Sequence, residues 1–232
     1  MKAFLLIHDL LDLFYPNICP ACDKPMQHTE KYFCIYCELQ LPKTNFISAK
    51  DNSVYKLFFG RADVEQADAW LYFVKKGMVQ KLMYSLKYKG NQALGERLGY
   101  LYGLDIKTQN TMKIPDCLCA VPLHTDKIKT RGFNQAAAIA RGMSQALEIP
   151  FVEDLIQRQS NTGSQTRKKR FERWESSVQS FQMNADIHYG YKSVGIVDDI
   201  ITTGSTLEIC ANLLKGFGVD KVQVFALCQA IN

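Results

Sequence analysis

The sequence predicts an α/β protein with a mostly parallel, helix-covered sheet and a small N-terminal zinc-binding subdomain. From residue 63 onward, short apolar runs alternate with segments of helical periodicity, which is the pattern of parallel strands joined by helices. Four cysteines near the start of the chain form two CxxC pairs, as in metal-bound subdomains. The 232 residues, 47% of them hydrophobic, are enough for one ordinary domain and a smaller appendage. We therefore expect a helix and zinc knuckle in residues 1–45 and a sheet domain in residues 46–232.

The first residues, MKAFLLIHDLLDLFYP, predict an amphipathic helix that packs on the body of the protein rather than on a membrane. The apolar run is short and is interrupted by His8, Asp9 and Asp12. No small-residue cleavage site follows it, so a secretory signal is not expected. The sequence also contains no run of about 18 apolar residues, so no membrane-spanning helix is expected.

The two CxxC pairs, CPAC and CIYC, predict a structural Zn²⁺ site. Each pair places two sulfurs on one tight turn, and two such turns complete a tetrahedral set of thiolates. Disulfides or free thiols are the alternative, and His28 could replace one thiolate, although a surface histidine is the simpler interpretation. Four protein ligands leave no open position for catalysis, so zinc would brace a segment too small to support its own core. The expected ligands are Cys19, Cys22, Cys34 and Cys37.

The four remaining cysteines lie in apolar or helical patterns, where cysteine behaves as a small hydrophobic residue. A chain that keeps these thiols unpaired fits a reducing, cytoplasmic compartment. The net charge of +5 is a mild bias towards phosphate-bearing partners and excludes no class of function by itself. These cysteines are Cys117, Cys119, Cys210 and Cys228.

In the first half of the body, residues 67–77 predict a strand that runs into a turn, and residues 78–90 a helix closed by Gly90. A second helix is expected over 91–107. The nearly continuous apolar run CLCAVPL, residues 117–123, is typical of a strand buried on both faces of a parallel sheet. A loop and then a helix from about Gly132 to Leu147 should follow it.

The second half begins with a weaker strand over 150–159. A buried strand, SVGIVDDI, a helix over 204–217 and a closing strand, KVQVFALCQA, come later in the chain. Residues 159–173, QSNTGSQTRKKRFER, are polar and basic and are expected to form a mobile loop.

The segment VGIVDDIITTGST, residues 194–206, indicates a ligand site. In an open α/β sheet, ligands bind beyond the carboxyl ends of the strands, where Asp198 and Asp199 are expected to lie. The turn that follows opens a helix, so its backbone N–H groups would form an anion cradle. The acids cannot bind the same anion and would face neutral hydroxyls or a divalent cation. A sugar phosphate meets both demands, whereas an ordinary capped helix explains the threonines but not the paired acids.

VDDIITTGST resembles the phosphoribosyl pyrophosphate (PRPP) motif of type I phosphoribosyltransferases. The resemblance implies that fold for the sheet domain and a PRPP site in this turn, with the acids on the ribose hydroxyls and the turn on the 5′-phosphate. The residues to which it assigns PRPP binding are Asp198, Asp199, Ile200, Thr202, Thr203, Gly204, Ser205 and Thr206.

A second element agrees with this resemblance. The strand CAVPL runs into HTDKIKTRGFNQ, and in the transferase fold the loop after the corresponding strand binds pyrophosphate. Lys127 and Lys129 could equally be solvated surface lysines. Arg131, followed by glycine at the expected start of a helix, is the better candidate for forked contacts to a phosphate.

The combination of YPNICPAC, FCIYC, LKYKG, PLH, RGFNQA, TGSQT and VDDIITTGST resembles the ComF/GntX family of competence proteins over nearly the whole chain. Members are associated with natural transformation and are described as phosphoribosyltransferase-like, with no agreed acceptor. Thr125 stands where the family often has proline, and Ser176 where it often has asparagine before an aromatic matching Phe181. These departures concern the second-substrate loop and not the PRPP motif.

For an enzyme, the resemblance implies displacement at ribose C1′ with pyrophosphate leaving and Mg²⁺ bound with PRPP. Asp198 and Asp199 would anchor the ribose, and Lys127 and Arg131 would stabilise the departing diphosphate. The basic stretch 167–173 could close as a lid that excludes water. No residue stands out as a general base for an acceptor.

The alternative is a non-catalytic module that handles single-stranded DNA, contacts the competence machinery and uses the PRPP site for binding or regulation. Its support is a basic cluster next to two aromatic residues, a combination that can follow a phosphate backbone and stack bases. A solvated helix face with its aromatics turned inwards explains the same pattern. The cluster contains Arg167, Lys168, Lys169, Arg170, Phe171 and Trp174.

Overall fold

A computed structural model describes residues 16–46, 51–158, 180–185 and 190–231. The N-terminal helix predicted over the first residues and the basic stretch 159–173, with Trp174 and Ser176, lie outside these described residues. The strands are β1 (Gln66–Phe73), β2 (Cys117–Ala120), β3 (Ile156–Arg158), β4 (Phe181–Met183), β5 (Ser193–Ile201) and β6 (Lys221–Ala230). The helices are α1 (Ile35–Leu39), α2 (Ser53–Lys56), α3 (Met78–Tyr88), α4 (Gln92–Gln109), α5 (Thr125–Arg131), α6 (Gln135–Leu147) and α7 (Ser205–Gly216).

The main sheet has the order β1-β6-β5-β2, and all three pairings are parallel. This confirms the predicted mostly parallel sheet. Beyond β2, an isolated parallel bridge joins Leu118 to Phe151 and adds a short further edge. At the other edge, Lys43 bridges Leu71 of β1 in antiparallel orientation, so the segment that follows the cysteines covers this edge of the sheet.

Alternate side chains of the sheet pack against two helical layers. Val197 of β5 and Phe225 of β6 belong to a core cluster that also contains the buried faces of α3, α4 and α6. Their neighbours Ile196 and Val224 belong to a second cluster with α7. Both faces of β5 and β6 are therefore covered by helices, which explains why these strands are nearly continuous apolar runs in the sequence.

The helices on one face pack closely because glycines lie at the crossing of α4 and α6. A Cβ atom on Gly99 would lie 2.0 Å from the carbonyl oxygen of Ile139. A Cβ atom on Gly142 would lie 1.9 Å from the carbonyl oxygen of Glu96. Backbone therefore meets backbone here, and any side chain would separate the two helices.

Several elements differ from the sequence predictions. The strand expected over 117–123 ends at Ala120, and the loop expected after it contains α5. Helix α5 is delimited by local signals, since His124 caps its N-terminus and Gly132 adopts the left-handed conformation, with φ 83°, after its last residue. The weak strand expected over 150–159 is reduced to β3, which pairs antiparallel with the unpredicted β4.

The cysteine-bearing segment shares its apolar core with the sheet domain. Cys19, Phe33 and Leu41 belong to the same buried cluster as Trp70 and Met83. The boundary expected between residues 45 and 46 stays a prediction, because the packing is continuous across it. None of the helices in the described part of the chain is long and apolar enough to cross a lipid bilayer.

Candidate functional site

The four N-terminal cysteines converge on one point. Their sulfur atoms all lie within 4.8 Å of one another, and the Sγ atoms of Cys22 and Cys34 are 3.8 Å apart. Tetrahedral coordination with Zn–S bonds of about 2.3 Å puts sulfurs about 3.8 Å apart. All the cysteines are free thiols rather than disulfides. The cluster, formed by Cys19, Cys22, Cys34 and Cys37, therefore fits a structural zinc ion.

The protonation of these thiols depends on burial and on their mutual proximity. Burial raises the pKa of Cys37, and the neighbouring thiols of Cys34 and Cys22 raise it further. At Cys19 burial also acts to raise the pKa, but backbone hydrogen bonds outweigh it and lower the pKa to about 7. Metal coordination requires all four groups as thiolates, so a bound cation would supply the charge that keeps them deprotonated.

The second candidate site lies at the carboxyl ends of β2 and β5. The connection from β2 leads through α5 to α6 on one face of the sheet, and the connection from β5 leads to α7 on the other face. Adjacent parallel strands whose connections leave in opposite directions open a crevice between them. The two sequence motifs singled out as ligand-binding, 124–135 and 198–206, follow or include the carboxyl ends of these two adjacent strands.

The two acids of β5 have different neighbours, as expected for consecutive residues of an extended strand. Asp199 Oδ2 lies 2.7 Å from the Nζ atom of Lys87 in α3, and both side chains are mostly buried. Asp198 Oδ1 instead accepts a hydrogen bond of 2.7 Å from the backbone N–H of Asp199. The charge of Asp198 acts on Cys210 of α7, where it raises the thiol pKa in addition to burial.

The carboxyl group of Asp198 has a raised pKa. Burial raises its pKa to about 7, and the neighbouring Asp199 carboxylate contributes to the rise. The backbone N–H of Asp199 and the positive charges of Lys87 and Lys127 oppose it. Lys127 belongs to α5 and is predicted to bind pyrophosphate, whereas Asp198 is predicted to bind ribose. The fold therefore brings these two residues within electrostatic range of each other.

Arg131, at the end of α5, is held by two side chains. Its Nη1 donates to Oε1 of Gln135 over 2.8 Å, and its guanidinium lies over the ring of Tyr88, 5.9 Å from the centroid. Gln135 is buried, so it forms a rigid anchor. Lys127 and Lys129, by contrast, are exposed. The RGFNQ motif therefore begins with one fixed arginine and forms the turn between α5 and α6, whereas the two exposed lysines lie within α5.

The turn after β5 opens α7 without a side-chain cap on its first backbone N–H groups. Gly204 is the N-cap of α7 and has a φ of 73°, a conformation that suits glycine. The hydroxyls of Thr203 and Ser205 are 3.0 Å apart, while the side chains of Thr202 and Thr206 are exposed. The first backbone N–H groups of a helix have no intrahelical partner, so those of α7 can bind an anion.

Sequence reasoning missed Arg61, which forms hydrogen bonds to this turn. Its guanidinium donates to the carbonyl oxygen of Thr203 over 2.9 Å and to the hydroxyl of Ser205 over 3.3 Å, and it pairs with Glu208. It also donates to the carbonyl of Leu57 over 2.9 Å. Arg61 lies 142 residues before Thr203 in the chain, so no local pattern could have connected them.

Lys87 was also missed as a site residue. The segment LKYKG was noted only as part of the family resemblance, although Lys87 directly follows the fully buried Leu86. A lysine next to the buried face of an amphipathic helix is held close to the core. This position in the helical pattern is the signal that could have identified Lys87 as a site residue.

Comparison with known proteins identifies the domain and the family. Residues 128–231 match the family model described as the phosphoribosyl transferase domain. Competence protein F of Haemophilus influenzae is 30% identical over 66% of this chain and 67% of its own length. DNA utilization protein YhgH of Escherichia coli K12 is 25% identical over 95% of this chain and 94% of its own.

A crystal structure of an adenine phosphoribosyltransferase aligns with 61% of this chain and 73% of its own, at 18% identity and a TM-score of 0.36. The fold assignment rests on the family model and on the parallel, helix-covered sheet. The chain belongs to the ComF family of competence proteins and carries a phosphoribosyltransferase-like domain.

Proposed function

We propose that this protein binds PRPP with Mg²⁺ at the carboxyl end of β5 and transfers the phosphoribosyl group to an acceptor, releasing pyrophosphate. The observation that supports the proposal is the position of Asp198, Asp199 and the turn 202–206 at the carboxyl end of β5, with Lys127 of α5 within electrostatic range of Asp198. Carboxylate oxygens and backbone N–H groups on one side and cations on the other match a ligand with hydroxyls between two phosphate groups.

In this proposal each group has a separate role. Asp198 and Asp199 accept hydrogen bonds from the ribose hydroxyls and favour the positive charge that develops at C1′. The turn 202–206 holds the 5′-phosphate, and this remote binding energy orients the reacting carbon. Lys127 and Arg131 stabilise the charge on the departing diphosphate. Mg²⁺, bound with PRPP, would supply further positive charge to the leaving group.

Isothermal titration calorimetry with PRPP and Mg²⁺ tests the binding step. We expect binding that requires Mg²⁺ and that is lost in the double variant Asp198→Asn/Asp199→Asn. Asp220→Asn is a matched control, because this exposed acid precedes β6 at the opposite end of the sheet. No heat of binding at millimolar PRPP in the unmodified protein would refute the proposal.

A pyrophosphate-release assay tests the transfer step and identifies the acceptor. The screen would offer nucleobases, amines, ammonia and DNA ends, each with PRPP and Mg²⁺. We expect release with one acceptor class that disappears in the double variant. Binding of PRPP without release under any acceptor would leave a binding or regulatory role for the site.

The relatives' names and a groove favour a second function, the handling of single-stranded DNA in the cytoplasm during natural transformation. A groove of about 900 Å³ lies between the cysteine knuckle and α3. Tyr32 and Tyr84 line it beside four lysines, of which Lys81 pairs with Asp23. The other three have no carboxylate partner within the described residues. Cations and tyrosine rings along one groove suit a phosphate backbone with unstacked bases. The three lysines are Lys31, Lys76 and Lys89.

Fluorescence anisotropy with a labelled single strand tests this second function. We expect the affinity to fall steeply with salt and the triple variant Lys31→Gln/Lys76→Gln/Lys89→Gln to lower both the affinity and the salt slope. The control removes three exposed lysines at the amino ends of the strands, Lys113, Lys192 and Lys221, and so has the same net charge. Equal losses in both triple variants would mean that binding follows net charge and not this groove.

A further inference from the structure

The last turn of α3 contacts both halves of the candidate PRPP site through two consecutive residues. Lys87 pairs with Asp199 on β5, and the two side chains are only 18% and 16% exposed. Tyr88, the next residue, lies under the guanidinium of Arg131, the last residue of α5. Helix α3 is thus in contact with the acids and with the pyrophosphate segment, although it belongs to neither motif.

Helix α3 can hold these two contacts in a fixed geometry, because its apolar face is buried in the core. Leu82 and Leu86 are at most 1% exposed and belong to the large core cluster. The helix ends immediately after Tyr88, and Gly90, with a φ of 64°, turns the chain away. The contacts of Lys87 and Tyr88 are therefore made from a rigid support and not from a loop.

Among the described residues, Lys87 is the cation that pairs directly with one of the two acids. In the part of the chain that the structure describes, the charged and titratable groups that interact with the acids are Lys87 of α3, Lys127 of α5, Cys210 of α7 and Cys228 of β6. Lys127 is exposed and its charge is screened by solvent, whereas Lys87 is mostly buried. Removal of Lys87 would leave two adjacent carboxylates without a close counter-charge, and like charges in a partly buried site cannot both ionise easily.

We propose that Lys87 and Tyr88 are positioning residues, which hold the Asp199 carboxylate and the Arg131 guanidinium in one geometry before the ligand enters. Lys87 acts through Asp199, and Tyr88 acts through Arg131. For the identity of the ligand this inference rests on the proposed function. A site that is already ordered avoids part of the entropy cost of arranging its charges around a phosphorylated sugar.

The first experiment needs no ligand. The side-chain carboxyl groups of Asp198 and Asp199 are followed by ¹³C NMR over a pH titration in the ligand-free protein. Lys87→Met should raise the titration midpoints of the acid pair by about one unit or more, and Lys87→Arg should restore them. Lys75→Met, which removes an exposed lysine just before α3, should leave them unchanged. If Lys87→Met does not fold, Lys87→Gln replaces it.

The second experiment measures the affinity for Mg²⁺ and PRPP as a function of pH. Lys87→Met should weaken binding by about tenfold at pH 7, with recovery at higher pH as the acids ionise. Tyr88→Ala should weaken it several-fold, while Tyr88→Phe, which keeps the ring under Arg131, should not. Unchanged affinity in both Lys87→Met and Tyr88→Ala would overturn the inference.

The two experiments separate this inference from the proposed function. Unmodified protein that binds no PRPP would refute the proposed function, and the ligand-free titration would still decide the role of Lys87. Unchanged carboxyl midpoints in Lys87→Met would overturn the inference for Lys87 even if the unmodified protein binds PRPP tightly.

Discussion

The Oδ1 atom of Asp198 accepts a hydrogen bond from the backbone N–H of Asp199 at 2.7 Å, while the Asp199 side chain is engaged by Lys87. Two adjacent acids are thereby given different partners. Lys87 supplies a close counter-charge to Asp199, whereas burial raises the pKa of Asp198 to about 7, so that Asp198 changes charge near neutral pH. This division has a measurable consequence for ligand binding.

We predict that PRPP binds more tightly as the pH rises through about 7. Ribose hydroxyls and Mg²⁺ both prefer an ionised carboxylate, so the complex should hold Asp198 deprotonated and binding should release a proton below this pH. Each pH unit below the raised pKa should cost about tenfold in affinity until the pKa of the bound state is reached.

Calorimetry in two buffers of different ionisation enthalpy, repeated from pH 5.5 to 8.5, measures both the affinity and the proton release. Asp198→Asn should bind weakly and without this pH dependence. An affinity for PRPP that stays flat across the range in the unmodified protein would show that Asp198 does not change its protonation on binding.

Arg61 should control the shape of the phosphate turn. Its guanidinium is shared between the carbonyl of Thr203 and the side chains of Ser205 and Glu208. Arg61→Ala should weaken PRPP binding by about tenfold, in line with the loss of charge-assisted hydrogen bonds that order a loop. Arg61→Lys should recover little, because an ammonium group cannot bridge several acceptors in the same plane.

The readout for Arg61 is the PRPP affinity together with amide hydrogen exchange of residues 202–206. Exchange should become faster in this turn and stay unchanged in β6. Lys56→Ala is a suitable control, since this exposed residue of α2 pairs with Asp51 and does not contact the turn. An equal loss of PRPP affinity in both variants would contradict the assigned role of Arg61.

Removal of zinc should loosen residues 16–45 and leave the ligand site intact. The four cysteines brace a segment with little core of its own, whereas α7 and the face of β5 that carries Ile196 pack in a separate apolar cluster. Hydrogen exchange after treatment with a chelator should therefore increase around the cysteines, and PRPP affinity should change by less than about threefold. Complete loss of PRPP binding with an intact sheet would contradict this separation.

Gly142→Ala should be strongly destabilising. The added Cβ would lie 1.9 Å from the carbonyl oxygen of Glu96, so α4 and α6 would have to move apart. We expect a loss of at least about 3 kcal/mol in the free energy of unfolding, at the upper end of overpacking effects. Denaturation by urea, followed by circular dichroism, provides the measurement.

Gly216→Ala is the matched control for this substitution. Gly216 is the last residue of α7, and an added Cβ would have no atom within 4 Å. Alanine is the better helix former, so stability should stay the same or rise by up to about 1 kcal/mol. Similar losses at both positions would mean that the α4–α6 crossing is not the cause.

The sequence by itself determined the alternation of strands and helices, the thiol cluster and the acid-turn-helix motif that ends in α7. Each of these features depends on residues that are close in the chain, so hydrophobic periodicity, turn residues and ligand spacing predict it directly. Local signals for α5 were also present, namely a capping histidine and a glycine in the left-handed conformation. They were outweighed by the expectation of a loop after PLH.

Only the tertiary structure decided that β1 lies beside β6, that Lys87 pairs with Asp199 and that Arg61 holds the turn at Thr203. These contacts join residues far apart in the chain, and they depend on the order of strands in the sheet. Hydrophobic periodicity specifies which face of an element is buried but not which element covers it. The partners of Asp198 and Asp199 could therefore be identified only from the tertiary structure.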